Sequence, residues 1–342
     1  MKNKVRLSNM ELLRIVSMLF VLIIHANFTG ISAPSPLDYY NSPFLSFIRC
    51  FVEALAIVAV DVFVLISGWF GINFSFKKLG ALCFQVLFFT VGFFIVFAVI
   101  SPEDAITVDK IKGVFLLNGD YWFVKAYIVL FLLSPVLNMF VEHATKKQFQ
   151  IVLISYYIFH TIYGWMMDAS VHFTMNGTTA LSFIGLYLLG RYLRLYPFRL
   201  IQLRKWIDLL IYAVCAFVLV VFNLLLLSKG QTISVDGRLY SYASPIVIVA
   251  SVFLLLFFTK LSFSSKAVNW IASSCFAVYL FHCNGFFFGQ YYRELIPHLY
   301  YETNYALVGV IAYVIIIYFV AVLFDKLRII LWNIIIKNGS EA

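Results

Sequence analysis

The sequence predicts an all-α, polytopic integral membrane bundle of about ten transmembrane helices with both termini cytoplasmic. Composition, the spacing of apolar stretches and the placement of cations predict it. Hydrophobic residues make up 63% of the 342 positions, aromatic residues 19% and charged residues 12%, with a mean hydropathy of +0.94. A water-soluble domain holds roughly 45–50% apolar residues, so lipid is the expected solvent. Stretches long enough to span recur at 10–28, 47–70, 79–100, 121–141, 149–167, 179–196, 206–228, 242–259, 269–289 and 305–325. With the N-terminus inside, seventeen lysines and arginines from Lys2 to Lys337 fall on cytoplasmic segments. Only five (Lys110, Lys112, Lys229, Arg238 and Arg293) fall outside. The net charge of +9 therefore reports topology. It is spread over short segments, which argues against a nucleic-acid partner.

The first stretch, flanked by Lys2, Lys4 and Arg6, has the charge pattern of a signal peptide but no small-residue cleavage site, and is expected to be a retained helix. It carries Arg14 and His25, eleven residues apart in ELLRIVSMLFVLIIHANF. That spacing sets the two side chains about 20° apart on one face and about 16 Å apart along the axis. A central arginine costs roughly 2.5–3.5 kcal/mol on insertion. Either Arg14 snorkels to the headgroups and His25 is a satisfied bundle residue, or the stripe is a site.

In the second helix, FIRCFVEALAIVAVDVFVLISGWF, Arg49 and Glu53 stand at i,i+4 and can pair. Running inward, this helix sets Glu53 at the depth of His25 and Asp61 deeper, where it can face Arg14. Lys77 and Lys78 follow on a short cytoplasmic turn into the third helix. Pro34, Pro36, Pro43 and Pro102 suit the outer loops at 29–46 and 101–120. The fourth helix opens with YWFVKAY, which places Trp122 in the outer aromatic belt and Lys125 just below it, snorkelling or meeting a substrate oxygen. In the ninth, FAVYLFHCN sets His282 near the depth of His25.

Cys50, Cys83, Cys215, Cys275 and Cys283 all lie in or beside apolar spans, which suggests packing rather than disulfides. The histidines, His172 among them, show no ligand spacing, so no metal is expected. Residues 1–342 read as a single domain without repeats.

The R-x10-H pair, DVFVLISGWF with its Ser67-Gly68 turn, YWFVKAYIVLFLLSPVLN and VYLFHCN together resemble the membrane-bound acyltransferase family 3, which includes O-acetyltransferases of bacterial surface polysaccharides. The resemblance covers essentially the whole chain. It implies a multi-pass enzyme of the bacterial inner membrane that moves an acyl group, usually acetyl, from cytoplasmic acetyl-CoA as co-substrate to a sugar hydroxyl on a glycan or lipid-linked precursor. No permanently bound cofactor is implied. Where family members often carry R-x3-R at the start of the third helix, this chain has FSFKKLGAL, with Ala81 and Leu82 four residues beyond the lysines. The family's separate esterase-like domain has no counterpart in these residues, so the chemistry is expected of the bundle.

The physical case runs beside the resemblance. A sugar hydroxyl is a weak nucleophile, and an imidazole that takes its proton contributes typically 10²–10⁴-fold. His25 is the expected base, with Glu53 orienting it. Arg14, held by Glu11 one turn away, is expected to bind the donor together with Lys77 and Lys78, whereas Trp122, Lys125 and His282 are expected on the acceptor side. Asp61, Ser67 and Gly68 are structural or site residues. Rival readings are a transporter or flippase, which would also bury charge but commonly shows repeated halves, and a glycan polymerase, which would need a large basic outer loop.

Overall fold

A computed structural model of the chain describes residues 6–167, 174–234, 237–303 and 306–339, so Lys2, Lys4 and His172 lie outside the described residues. Those residues are helical, with no strand among them. The first helix, α1 (Ser8–Ile24), widens into a π-turn at His25–Gly30. The second apolar stretch forms α2 (Pro43–Ala56) and α3 (Ala59–Phe70), and the third forms α4 (Phe76–Ile100). After two short outer helices come α5 (Trp122–His143), α6 (Lys146–Thr161), α7 (Ala180–Leu195), α8 (Lys205–Ser228) and α9 (Pro245–Thr259). The ninth stretch is divided between α10 (Lys266–Ala272) and α11 (Cys275–His282); α12 (Leu295–Tyr301) and the long α13 (Ala306–Gly339) close the chain.

By length and composition, seven helices among the described residues can cross a bilayer: Ser8–Gly30, Pro43–Phe70, Phe76–Ile100, Trp122–His143, Lys205–Ser228, Arg238–Thr259 and Leu307–Ile334. The other three expected spans fall on α6, α7 and the broken α10–α11 pair. Helix α7 has 16 residues, about 24 Å of rise against ~30 Å of hydrocarbon. Contacts tie the helix ends into two groups. At one end Arg6 donates to the Asn269 carbonyl, Lys326 to the Trp270 carbonyl, and Lys260 pairs with Asp208. At the other, Tyr40 donates to the Ser228 carbonyl, Trp165 to the Arg238 carbonyl and Tyr301 to the Ile31 carbonyl.

Helix α1 is the axis of the bundle, packed on α2, α3, α9, α10, α11 and α13. Each break in its neighbours has a local remedy, because a backbone group freed in hydrocarbon must find a partner. Between α2 and α3 the chain turns at Ile57–Val58, and Tyr212 donates to the Leu55 carbonyl at 2.6 Å. Within α5, Pro135 cannot donate to the Phe131 carbonyl one turn back; the Ser134 hydroxyl does so instead, at 2.7 Å. Helices α3 and α7 cross with their backbones touching. A Cβ on Gly68 would lie 2.3 Å from the Tyr187 carbonyl oxygen, and one on Gly190 would lie 2.6 Å from that of Leu65. The expected Ser67-Gly68 turn is thus corrected: both residues are inside α3, and the turn is at Gly71, with φ +76°.

Candidate active site

A cavity of about 540 Å³ follows α1 from Arg6, Glu11 and Arg14 past Met18 and Val21 to His25. Helix α3 supplies Phe63 and Ser67 to its wall, the start of α5 supplies Trp122, Phe123 and Tyr127, and the broken ninth span supplies Ser273, Cys275, Tyr279 and Cys283. Beyond His25 it reaches Gly119, Asp120 and Tyr121 on the loop before α5. A path from the Arg6 end of the bundle to this loop therefore runs beside both residues of the R-x10-H pair.

Near the Arg6 end, Arg14 Nη1 donates to Glu11 Oε1 at 2.8 Å and the guanidinium lies 5.8 Å from the centre of the Phe70 ring. Glu11 is buried while Arg14 keeps about a third of its side-chain surface accessible. The carboxylate anchors the guanidinium with cavity still before it.

At the other end three groups meet. His25 Nδ1 lies 2.9 Å from His282 Nε2, and His282 Nδ1 lies 2.7 Å from the Val278 carbonyl oxygen. A carbonyl only accepts, so His282 Nδ1 carries the proton, and in the uncharged ring its Nε2 is an acceptor. His25 Nδ1 then donates to it. The His25 lone pair is left on Nε2, on a ring that lines the cavity. Cys283 Sγ stands 3.3 Å from His282 Nε2 and 3.7 Å from His25 Nδ1. The ligand atoms of His25, His282 and Cys283 lie within 4.8 Å of one another, and two imidazoles with a thiolate suit a thiophilic cation such as zinc. The spacing of residues in sequence led to no metal being expected; the fold assembles three ligands, of two types, that could hold one.

A network on the far side of the π-turn holds His25 in place. Asn27 Nδ2 donates to Glu53 Oε2 at 3.0 Å and to the Arg49 carbonyl at 2.9 Å, and Arg49 Nε donates to Asn27 Oδ1 at 3.1 Å. Arg49 also donates to the Asn27 and Ser32 carbonyls, while Tyr292 donates to the Leu22 carbonyl at 2.6 Å. The outer wall is similarly pinned. Tyr121, in the left-handed region at φ +53°, donates to the Leu280 carbonyl at 2.7 Å and accepts from Asn284 Nδ2 at 2.9 Å.

A family model described as an acyltransferase domain matches residues 7–325. The chain belongs to acyltransferase family 3. No curated protein and no solved structure matches it.

As a family 3 acyltransferase, the protein brings some of the residues expected from sequence together and separates others. Arg14, Glu11, His25, Ser67 and Trp122 line one cavity. Glu53 bonds Asn27 on the other side of the π-turn rather than His25, and His282 is the group that meets His25 Nδ1. His282 is itself fully buried behind His25, which removes it from the acceptor surface. Asp61, also fully buried, lies outside the cavity wall that holds Arg14; the break at Ile57–Val58 interrupts the straight helix assumed in facing the two. Lys77 and Lys78 are exposed outside the cavity, with Lys78 Nζ on the Asn73 carbonyl at 2.7 Å. Lys125 donates to the Asn118 carbonyl at 2.6 Å and does not line the cavity. Gly68 serves the α3–α7 crossing. Sequence reasoning missed Arg6, Asp120 and Cys283 as lining residues; the last was visible next to His282 in VYLFHCN.

Proposed function

We propose that this acyltransferase moves an acyl group, acetyl in the simplest case, from cytoplasmic acyl-CoA to a sugar hydroxyl of a cell-surface polysaccharide or its lipid-linked precursor. The observation that carries this reading is the His25–His282–Val278 relay on the wall of a cavity whose other end is cationic. It supplies a base where a hydroxyl must lose a proton, and Arg14 and Arg6 where an anionic donor enters. In the transfer step, His25 Nε2 takes the hydroxyl proton as oxygen attacks the acyl carbonyl, His282 steadies the imidazolium through Nδ1, and the carbon–sulfur bond of the thioester breaks as the departing thiolate takes up that proton. Trp122 and Tyr242, with ring centroids 5.9 Å apart on the outer wall, offer an apolar platform for a sugar face.

The proposed setting is the bacterial cytoplasmic membrane, with the chain a single domain crossing it ten times and both termini inside. The two groups of end-to-end contacts support four of those crossings, because the spans at 10–28, 206–228, 242–259 and 305–325 each join one group to the other. The cation bias supports the orientation. Purified protein in nanodiscs, given labelled acetyl-CoA and octyl hexosides, is expected to yield acetylated hexoside and free CoA. Hexoside flux across a liposome with neither product would favour the transporter reading instead.

A further inference from the structure

Resting on acyl transfer as the reaction, we propose that Cys283 carries the acyl group in transit: the donor thioester acylates its sulfur, and the acceptor hydroxyl then takes the group from it. Cys283 shares the cavity wall with His25, and its Sγ is 3.3 Å from His282 Nε2. A thiol within hydrogen-bond reach of an imidazole that a third group orients is the arrangement of an activated nucleophile. The orienting group is the Val278 carbonyl. Cys275 also lines the cavity, but its sulfur contacts the Tyr318 hydroxyl at 3.2 Å, which is no base at neutral pH.

Proton bookkeeping at His282 Nε2 separates the two half-reactions. That nitrogen has one lone pair, yet the Cys283 thiol and His25 Nδ1 both stand within reach of it, at 3.3 and 2.9 Å. Only one can donate to it at a time. At rest His25 Nδ1–H, the nearer of the two, holds the lone pair, and the thiol takes its place for the acylation step. Sulfur attacks the acyl carbonyl of the donor, its proton passes to His282 Nε2, the carbonyl–sulfur bond to CoA breaks, and the departing CoA thiolate takes that proton. One thioester has become another with no change of oxidation state. Acylated Cys283 has no proton to give, so His25 Nδ1–H regains sole use of the lone pair, which keeps the His25 lone pair on Nε2. The acceptor hydroxyl then loses its proton to His25 as its oxygen attacks the acyl–sulfur carbon. Cys283 leaves as thiolate and recovers a proton from the imidazolium. Acylation of the sulfur thus holds His25 in its base-competent tautomer.

The test is acyl capture without acceptor. Nanodisc-held protein mixed with labelled acetyl-CoA is expected to release one free CoA thiol per chain in a burst and to retain one acetyl group on the peptide containing Cys283, labile to neutral hydroxylamine. Cys283→Ala should lose the burst and the label and acetylate octyl hexosides at least 100-fold more slowly. Cys283→Ser, close in size and therefore a check on folding, should hold a slower-forming acetyl group that neutral hydroxylamine leaves in place. Cys83→Ser, at an exposed position on α4, should label normally. Hexoside acetylation at the wild-type rate by Cys283→Ala, or label on His25 instead, overturns the acyl-cysteine while leaving acyl transfer intact. Failure of the wild-type protein to acetylate any hexoside or release CoA overturns both.

Discussion

At the scale of single residues, the site turns on which nitrogen of His25 holds a proton, and three substitutions separate the groups that decide it. His25→Ala should abolish transfer while leaving abundance in the membrane intact. His282→Ala should lower kcat about 10²-fold with little change in the donor KM, because it removes the acceptor that keeps the proton on Nδ1 rather than a substrate contact. Glu53→Gln should stay within about tenfold of wild-type kcat, since an amide oxygen can still accept from Asn27; a loss as deep as that of His282→Ala would restore Glu53 as the orienting group. Donor binding is assigned to Arg14, so Arg14→Ala should raise the apparent KM for acetyl-CoA about tenfold, by roughly 1.4 kcal/mol. Joint replacement of Lys77 and Lys78 by glutamine should leave it unchanged. Initial rates across a donor series measure both. Arg14 and His25 were legible in the sequence because one helix fixes their mutual position. The His282 relay was not, since 257 residues separate it from His25 and only packing of α11 on α1 joins them. Lys77 and Lys78, exposed and outside the cavity lining, stand differently: every inner segment of such a chain is basic, so charge alone does not mark a binding mouth.

At the scale of helices, the α3–α7 crossing is the place where the bundle tolerates least. Gly190→Ala would drive a methyl to 2.6 Å from the Leu65 carbonyl oxygen, where no flexible side chain can yield, and overpacking of this kind costs about 1–3 kcal/mol. The thermal midpoint in detergent should fall, whereas Gly92→Ala, on α4 with nothing within 4 Å of its Cβ, should leave it unaltered. Apolar length placed the helices but did not reveal their interruptions. Nothing in FVEALAIVAVDVF marks a turn at Ile57–Val58, because the hydroxyl that accommodates it comes from Tyr212 on α8. The π-turn beginning at His25 is equally silent, its geometry being set by Asn27, Arg49 and Tyr292 from three parts of the chain. Only Pro135, with Ser134 beside it, shows in sequence both a defect and its repair.

At the scale of the whole molecule, the topology follows from cation bias and is tested by reporters: one fused after the C-terminus should be active only in the cytoplasm, and one inserted near Ser35 only outside. A reversed result at the C-terminus would mean an odd number of crossings. The fold class was readable because membrane insertion is governed by length and hydropathy, both local properties of the chain. The cavity was not, because it exists only where several partial helices meet. Its walls differ in one further respect. Helices α2 and α3 form a span 72% buried within the protein, and α3 is locked backbone to backbone against α7, whereas α4, which lends Leu82 to the cavity, is only 17% buried. Widening of the passage to admit a bulky thioester must therefore come from the side that rests against lipid. Stiff, tightly ordered acyl chains should slow turnover more than they slow binding, and a fluid bilayer should restore it, so the physical state of the surrounding membrane becomes a governor of how fast this acyltransferase works.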